Sequence, residues 1–540
     1  MGALTLKSFP FELRGWDIEK FESIDPTDGF GSDTRVYISN NQVVQIEPDY
    51  NIHTFNTWLT DKGRQFFDGI FETGNAKNEN SNTKDSWLKI LRAVAQTLYF
   101  FDHCQKQQRQ NYSFIIVFEN LSLEVLSMLL LISQSYSFVK LKRAEDVKLN
   151  NDLESNFQLS LATDKLKLNS STLCLLISNN PRYEGYSLNL NLRQRTLKGN
   201  FKCLSIGSLI NLTFPVSFLG SNFNVIKSIS EGNNLTCQDI KIAKNPLIVF
   251  NNEIFKRNDG QNSLEMLKVL NHSNIFNKTW NGLNVLNPSL NETGTHSLAH
   301  FSPVTSEDFI NFSSVYFLNV TINSVTNFKK ITESKLLNFS SNKNRQLDLP
   351  KLFLDQNSTA TQNLMFYNQK YSMEDSDLSK YFYLPASMFY ENNETFVTTE
   401  GLIKKTTKVI VKGRAKNNWQ ILRKMFKSLK KDFRSLNRRD DELILLNSTK
   451  IASFKNFINF QFCATQNLTN LGFYLNTRNR PFVLYKTNFS YKQRSIKIVD
   501  TKMKYWLDDF FSGGKDEYSQ NSLILTNCSK ILRLESTNFF

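Results

Sequence analysis

"SFIIVFENLSLEVLSMLLLIS", residues 113–133, is the most apolar stretch of the chain, and its reading decides the fold. A membrane-spanning helix needs about 20 consecutive apolar residues. Glu119 and Glu124 interrupt the stretch, so no run of that length remains. Its opening, "SFIIVF", is short and does not alternate, which suits a strand buried on both faces. The stretch therefore predicts a buried strand leading into a core helix.

The same kind of run recurs at "LCLLIS" from Leu173, "CLSIGS" from Cys203, "PLIVF" from Pro246 and "VYFLNV" from Val315. Helix-like segments lie between several of them. "NSLEMLKVL" from Asn262 is one. "DSWLKILRAVAQTLYFF" from Asp85 is another, with Trp87, Ile90, Leu91, Val94 and Leu98 on one face and Asp85 or Ser86 as cap. Buried strands alternating with helices predict an α/β fold, a parallel sheet with helices on both sides. Upstream, "DTRVYISNNQVVQIEP" (33–48) reads as a β-hairpin that turns at Asn40-Asn41. Downstream, residues 320–380 are polar and weakly periodic. Residues 417–437 predict an amphipathic helix whose apolar stripe is Trp419, Leu422, Phe426, Leu429 and Phe433. Its basic outer face suits a docked, solvated helix, with RNA or lipid binding as the other reading.

Length and composition fit a folded chain with several domains. The chain has 540 residues, 40% of them hydrophobic and 13% aromatic. Gly is 20 and Phe 45, and Gly at that level is well below the usual ~7%. With abundant Asn and Lys, this suggests drift toward AT-rich codons and an organellar gene. The formal charge is +15. Such a balance points to nucleic acid or an anionic membrane, or else to the same drift spread over a large surface. The aromatics sit in core-like runs and no recognition motif accompanies the charge, so the second reading is preferred and no nucleic-acid partner is expected. Residues 1–15 lack the continuous apolar core of a signal peptide, and no Arg-rich transit peptide is visible. The Asn-x-Ser/Thr triplets, as at Asn111 and Asn120, are then chance products of an Asn- and Ser-rich chain.

A catalytic kit is hard to assemble. The six cysteines (Cys104, Cys174, Cys203, Cys237, Cys463 and Cys528) include no C-x-x-C pair. That spacing argues against zinc and iron–sulfur sites carried by this chain alone, and against a secreted disulfide framework. "GGKDE" (513–517) has a Gly-Lys but lacks the rest of a phosphate-binding loop, and "GFGSDT" (29–34) has Thr34 where a dinucleotide loop needs its third Gly. His296 and His300 share an i, i+4 spacing, but no carboxylate lies beside them to make a metal site.

"MGALT" (1–5) and "FPFELRGWDIEKFESIDPTDGFGSDTRV" (9–36) resemble the largest iron–sulfur subunit of respiratory NADH:ubiquinone oxidoreductase, complex I. In that family a ferredoxin-like region ends in a C-P-x-G-A-L-T stretch, and a larger region related to molybdopterin oxidoreductases follows. More islands agree, in order: "WLTDKGRQFFDGI" (58–70), "SWLKILRAV" (86–94), "TLCLLISNNPRYEGYSLNLNLRQR" (172–195), "NPLIVFNNEIFKRNDG" (245–260), "YLPASMFYENNETFVTTEGLIKKTTKVIV" (383–411) and "WLDDFFSGGKDEYSQNSLILTNCSK" (506–530).

The resemblance implies a degenerate molybdopterin-oxidoreductase-like α/β fold. Its expected parts are a small N-terminal β subdomain (1–70), Rossmann-like α/β parts (71–270 and 271–430, with 320–380 divergent) and a C-terminal extension (431–540). Where the wider family places the cysteines of a 4Fe–4S cluster, this chain has Asp25, Asp28 and Ser32, which would serve the turn around Asp25-Pro26 and Gly29 instead. Leu402 replaces the family's Arg after Glu400-Gly401. The implied role is structural, with no cofactor bound and no catalytic residue. The chain would sit in the peripheral, NADH-oxidising arm on the matrix side of the mitochondrial inner membrane, without inserting into it, and be mitochondrially encoded. The implied partners are a separate ferredoxin-like chain carrying 2Fe–2S and 4Fe–4S clusters and other arm subunits, including the NADH-binding flavoprotein. Leu4, Phe9, Phe11 and Trp16 are the candidate contacts with that iron–sulfur chain, core packing being their other reading. An active molybdopterin oxidoreductase, an RNA-associated organellar protein and a secreted glycoprotein stand as alternatives.

Overall fold

The computed structural model describes residues 13–49, 58–69, 94, 98, 114–144, 165–208, 211–272, 280, 282–298, 301–305, 308, 314–320, 365–370, 382–410, 416–427, 499–503 and 517–537. Strands β1 (Glu19–Ile24), β2 (Asp33–Ser39) and β3 (Gln42–Pro48) form an antiparallel sheet in the order β1-β2-β3. The β2–β3 turn sits at Asn40 (φ 50°) and Asn41 (φ 64°), the pair of left-handed residues that a tight two-residue hairpin requires. Thr34, Val36 and Ile38 alternate inward, and Val36, Ile38, Val43 and Ile46 pack with Phe66 and Tyr390. Helix α1 (Asp61–Gln65) lies against β3. Its cap is Thr60, whose hydroxyl accepts the Gly63 N–H at 3.0 Å.

The next strand, β4 (Phe114–Phe118), is buried at every position, and helix α2 (Leu123–Ser135) follows it. The residues that α2 buries are Leu123, Val125, Leu126, Leu129 and Ile132. The chain continues through β5 (Val139–Arg143), β6 (Leu173–Ile177), α3 (Tyr186–Leu197), β7 (Lys202–Ile206), β8 (Ser217–Gly220), β9 (Leu247–Asn251), α4 (Gly260–His272), β10 (Leu283–Leu286) and α5 (Glu292–Leu298). Then come β11 (Ser314–Leu318), β12 (Met365–Lys370) and β13 (Phe382–Pro385). These strands make two five-stranded parallel sheets, β13-β12-β11-β4-β5 and β10-β9-β6-β7-β8.

The second sheet shows why its strands read as unbroken apolar runs. Leu173, Leu175 and Ile177 of β6 enter one core with Ile248 and Phe250, while Cys174 and Leu176 enter another with Leu188 and Val249. Both faces are covered, so neither set of alternate positions reaches water. Each sheet reverses its strand order once, between β4 and β11 and between β6 and β9. Open α/β sheets bind ligands beyond the carboxyl ends of strands at such points.

Sheet membership runs across the expected boundary at 270. Strand β10 joins strands from 173–251, while β11 to β13 close on β4 and β5 from 114–143. Of the helix expected over 85–101, Val94 and Leu98 are described, helical and buried; the rest lies outside the described residues. A small antiparallel hairpin, β14 (Thr395–Val397) and β15 (Ile403–Lys405), precedes helices α6 (Asn418–Lys427) and α7 (Leu523–Thr537). The buried face of α6 is Ile421, Leu422 and Met425, with Trp419 half-buried beside it, packed on the core of the first sheet. Its stripe therefore runs through Ile421 and Met425; Leu429 and Phe433 lie outside the described residues. No helix among the described residues is long and apolar enough to cross a membrane.

Candidate functional site

The loop between β1 and β2 carries Asp25, Asp28 and Ser32, all buried. The backbone closes it, with Asp25 N donating to the Ser32 carbonyl at 2.8 Å. Both aspartates fold back on the loop. Asp25 Oδ1 accepts from Thr27 N (2.8 Å) and from the Thr27 hydroxyl (2.7 Å). Asp28 Oδ1 accepts from Phe30 N (3.1 Å) and Gly31 N (3.0 Å). These are the local turns that Asp makes with backbone N–H groups two or three residues on. One oxygen of each aspartate is thus engaged within the 25–31 turn.

Four distant segments meet this loop. The Tyr186 hydroxyl at the start of α3 stands 2.6 Å from Ser32 Oγ and 2.6 Å from the Trp58 carbonyl. The β14–β15 hairpin reaches it twice: Thr399 N donates to the Gly29 carbonyl at 2.7 Å, and Lys404 Nζ donates to the Gly31 carbonyl at 2.9 Å while pairing with Asp33 at 3.0 Å. Gly29 lies against the strand end of the second sheet, where an added Cβ would come within 1.9 Å of the Asn287 carbonyl oxygen. Gly63 touches the loop from the other side, since a Cβ there would stand 2.1 Å from Asp25 Oδ2. Burial pushes the Asp28 carboxyl well above the carboxylate range, and the Asp25 charge adds to this against the N–H groups of Gly31 and Phe30 and the charge of Lys404. Burial also raises the Tyr186 phenol.

These donors do not fit an iron–sulfur cluster. Such clusters are held by thiolates, whereas this loop offers carboxylate and hydroxyl oxygens, and its Asp25 Oδ1 and Asp28 Oδ1 are already engaged by N–H and O–H groups of the same turn. The described cysteines lie elsewhere. Cys174 and Cys203 face each other in register on β6 and β7 deep in the core, and the Cys174 thiol is raised by its hydrogen bond with Cys203 and by burial. No group of three or more His, Cys, Asp or Glu residues able to hold a metal ion occurs among the described residues.

Past the strand ends, several polar side chains bond within the chain. Asn179, after β6, donates to the Val249 carbonyl at 3.1 Å. Asn251, ending β9, donates to Glu184 at 2.9 Å, and Asn252 donates to Glu292. Arg143 turns to Glu292 at 3.6 Å and to His296 Nε2 at 3.4 Å. Asn287, after β10, is covered by Gly29 and donates to Thr293 at 2.8 Å. His296 thus sits beside an arginine; His300 lies outside the described residues.

Of the candidate contact residues, Leu4, Phe9 and Phe11 lie outside the described residues. Trp16, in the single turn Gly15–Asp17, is 83% exposed. Trp58 shares that character at 65% exposed, although its carbonyl is held by Tyr186. Sequence reasoning did not single out Trp58, Tyr186 or Lys404. The available signal was that each lies in a stretch of resemblance (58–70, 172–195 and 383–411), and these three stretches meet at the 25–32 loop.

Two family comparisons match the chain. The family described as "Molybdopterin oxidoreductase" matches residues 77–428. The family described as "NADH-ubiquinone oxidoreductase NDSU1/NuoG-like, 4Fe-4S domain" matches residues 18–68, which contain the Asp25–Ser32 loop. Among curated relatives, the NADH-ubiquinone oxidoreductase 75 kDa subunit of Reclinomonas americana is 26% identical over 80% of this chain and 60% of its own length. The 78 kDa subunit of Neurospora crassa is 23% identical over 78% and 53%. The 75 kDa subunit of Acanthamoeba castellanii is 24% identical over 100% and 70%. The chain thus spans about three fifths of the length of the first of these relatives.

Proposed function

The chain belongs to the molybdopterin oxidoreductase family, and we propose that it serves as a structural subunit of the peripheral, NADH-oxidising arm of respiratory NADH:ubiquinone oxidoreductase, on the matrix side of the mitochondrial inner membrane. The observation that carries this reading is the cluster-type loop. Its sequence matches the 4Fe-4S family, but Asp25, Asp28 and Ser32 bond to the loop itself and to Tyr186. Such a domain offers a shaped surface rather than a reaction centre. In this reading the chain binds no cofactor and carries no catalytic residue. Electrons from NADH pass through 2Fe–2S and 4Fe–4S clusters of a ferredoxin-like partner chain, and this chain holds that partner and its neighbours, the NADH-binding flavoprotein among them, in register. Leu4, Phe9, Phe11, Trp16 and Trp58 supply the apolar contact, since large aromatics carry much of the affinity of stable interfaces.

The test is native purification of the tagged chain. The expected result is co-migration with an iron–sulfur chain and NADH dehydrogenase activity, with iron and acid-labile sulfide lost when that partner is stripped away. Stoichiometric iron, sulfide or molybdenum remaining on the stripped chain, or migration apart from NADH dehydrogenase activity, sinks the reading.

A further inference from the structure

The positive charge of the chain is concentrated in one stretch. Residues 401–431 hold 11 Lys and Arg and no Asp or Glu, whereas the rest of the chain has 54 against 50. Codon drift spread over a large surface does not produce that contrast. The stretch runs from β15 into α6, and residues 401–410 and 416–427 of it are described.

Hydrogen bonds bring its cations together. Lys408 N donates to Asn393 Oδ1 at 2.6 Å. The neighbouring Asn392 accepts the Thr406 hydroxyl at its carbonyl (3.0 Å) and the Ser387 hydroxyl at Oδ1 (2.6 Å). Ser387 N donates in turn to the Lys416 carbonyl at 3.1 Å. Lys416 therefore leads into α6 beside the turn that carries Lys408. From there α6 buries Ile421, Leu422 and Met425 in the core of the first sheet, and Arg423 and Lys424 are left facing water. Lys424 stands near Lys416, whose ammonium is lowered by burial and then by the Lys424 charge.

Little within the described fold offsets these charges. Lys404 pairs with Asp33, but the exposed Lys405, Lys408, Arg423 and Lys424 have no carboxylate partner among the described residues. The first turn of α6 has no acidic residue, so the positive end of the helix adds to the same field. Like charges gathered this way repel, and an anion from outside relieves the repulsion.

The geometry points to a docking strip for an acidic protein segment: Lys408, Lys416, Arg423 and Lys424 receive a run of Asp and Glu side chains from another protein. A membrane is the poorer occupant, because α6 buries its apolar face in the core and has none left to enter lipid. Single-stranded RNA is poorer too. Its sites stack bases on open aromatic faces, and Trp419 packs on the core instead. From Lys416 to Lys424 a helix advances about 12 Å, a span that about four residues of extended chain cover. The inference does not depend on the complex I reading; with both true, the acidic segment belongs to another subunit of the arm.

Binding of a labelled oligo-glutamate peptide to the purified full chain tests the strip, beside a single-stranded RNA of matched charge and phosphatidylserine–phosphatidylcholine vesicles. The peptide should bind tightest, with affinity falling roughly 10-fold or more between about 50 and 200 mM salt. Lys408→Glu with Lys424→Glu should weaken it by about 10-fold or more at the lower salt. Lys241→Glu with Lys244→Glu, the same charge change at exposed lysines just before β9, should leave it within about 2-fold. Tighter binding of the RNA or the vesicles overturns the proposal, as does a peptide that does not bind or ignores salt. Equal losses in the two variants overturn it as well. The ranking and the salt dependence are read on the wild type, so they stand even where a variant does not fold. Co-migration with NADH dehydrogenase activity remains the separate test of the structural role, and neither result decides the other.

Discussion

Tyr186 joins segments 154 residues apart in sequence, because its hydroxyl serves both Ser32 and the Trp58 carbonyl. Removing that oxygen takes a partner from the buried Ser32 hydroxyl and from the part-buried Trp58 carbonyl, which costs about 1–3 kcal/mol. Tyr186→Phe should therefore lower the unfolding free energy by that amount, read as a lower urea midpoint with an unchanged slope. Gly29 is a sharper case. Its missing Cβ is what lets the Asn287 carbonyl approach, and a backbone atom has little room to give. Gly29→Ala should cost more than Gly15→Ala, because a Cβ at Gly15 meets nothing within 4 Å. Comparing the two denaturation midpoints checks this: the first variant should lose about 2 kcal/mol or more and the second stay within about 0.5.

Elements were legible wherever burial alone fixes them. The runs at 114–118, 173–177, 202–206, 247–251 and 314–318 read as strands because a segment covered on two faces favours apolar side chains at successive positions. The 40–41 turn was legible because Asn tolerates positive φ. Asp25, Asp28 and Ser32 were singled out as expected cluster-ligand positions through resemblance alone. What grips them was not, because the contacts from Tyr186, Thr399 and Lys404 are long-range and leave no periodicity to read. Nor does anything local mark Glu394 as different from Glu391, which caps its own turn by accepting the Met388 N–H at 2.9 Å. The difference appears in the pH dependence of the hairpin. Glu394 binds its proton more tightly folded than unfolded, from an ordinary 4.5 up to about 8. Its contribution is therefore complete below pH 4.5, shrinks as pH rises and is gone once pH passes about 8. Calorimetric melting of the wild type should show stability falling on the order of a few kcal/mol between those limits, and Glu394→Gln should flatten the slope.

At the scale of the whole molecule, an interface residue and a core residue make opposite predictions. Leu129, buried in the middle of α2, belongs to the core of the first sheet, so Leu129→Ala should lower the stability of the isolated chain by about 2–5 kcal/mol. Trp16 and Trp58 are mostly exposed, and truncating them removes few contacts within the chain. If they anchor an iron–sulfur partner, Trp16→Ala with Trp58→Ala should leave the melting temperature of the isolated chain within about 1 °C. The same pair should weaken association with the partner by about 2 kcal/mol or more, close to 30-fold, because aromatic anchors lose their desolvated pocket when truncated. Native electrophoresis over a dilution series reads the affinity, and NADH dehydrogenase activity in the co-migrating band reports whether the arm still assembles. An unchanged dilution curve would remove both residues from the interface, and a melting temperature lowered as far as in Leu129→Ala would return them to the core.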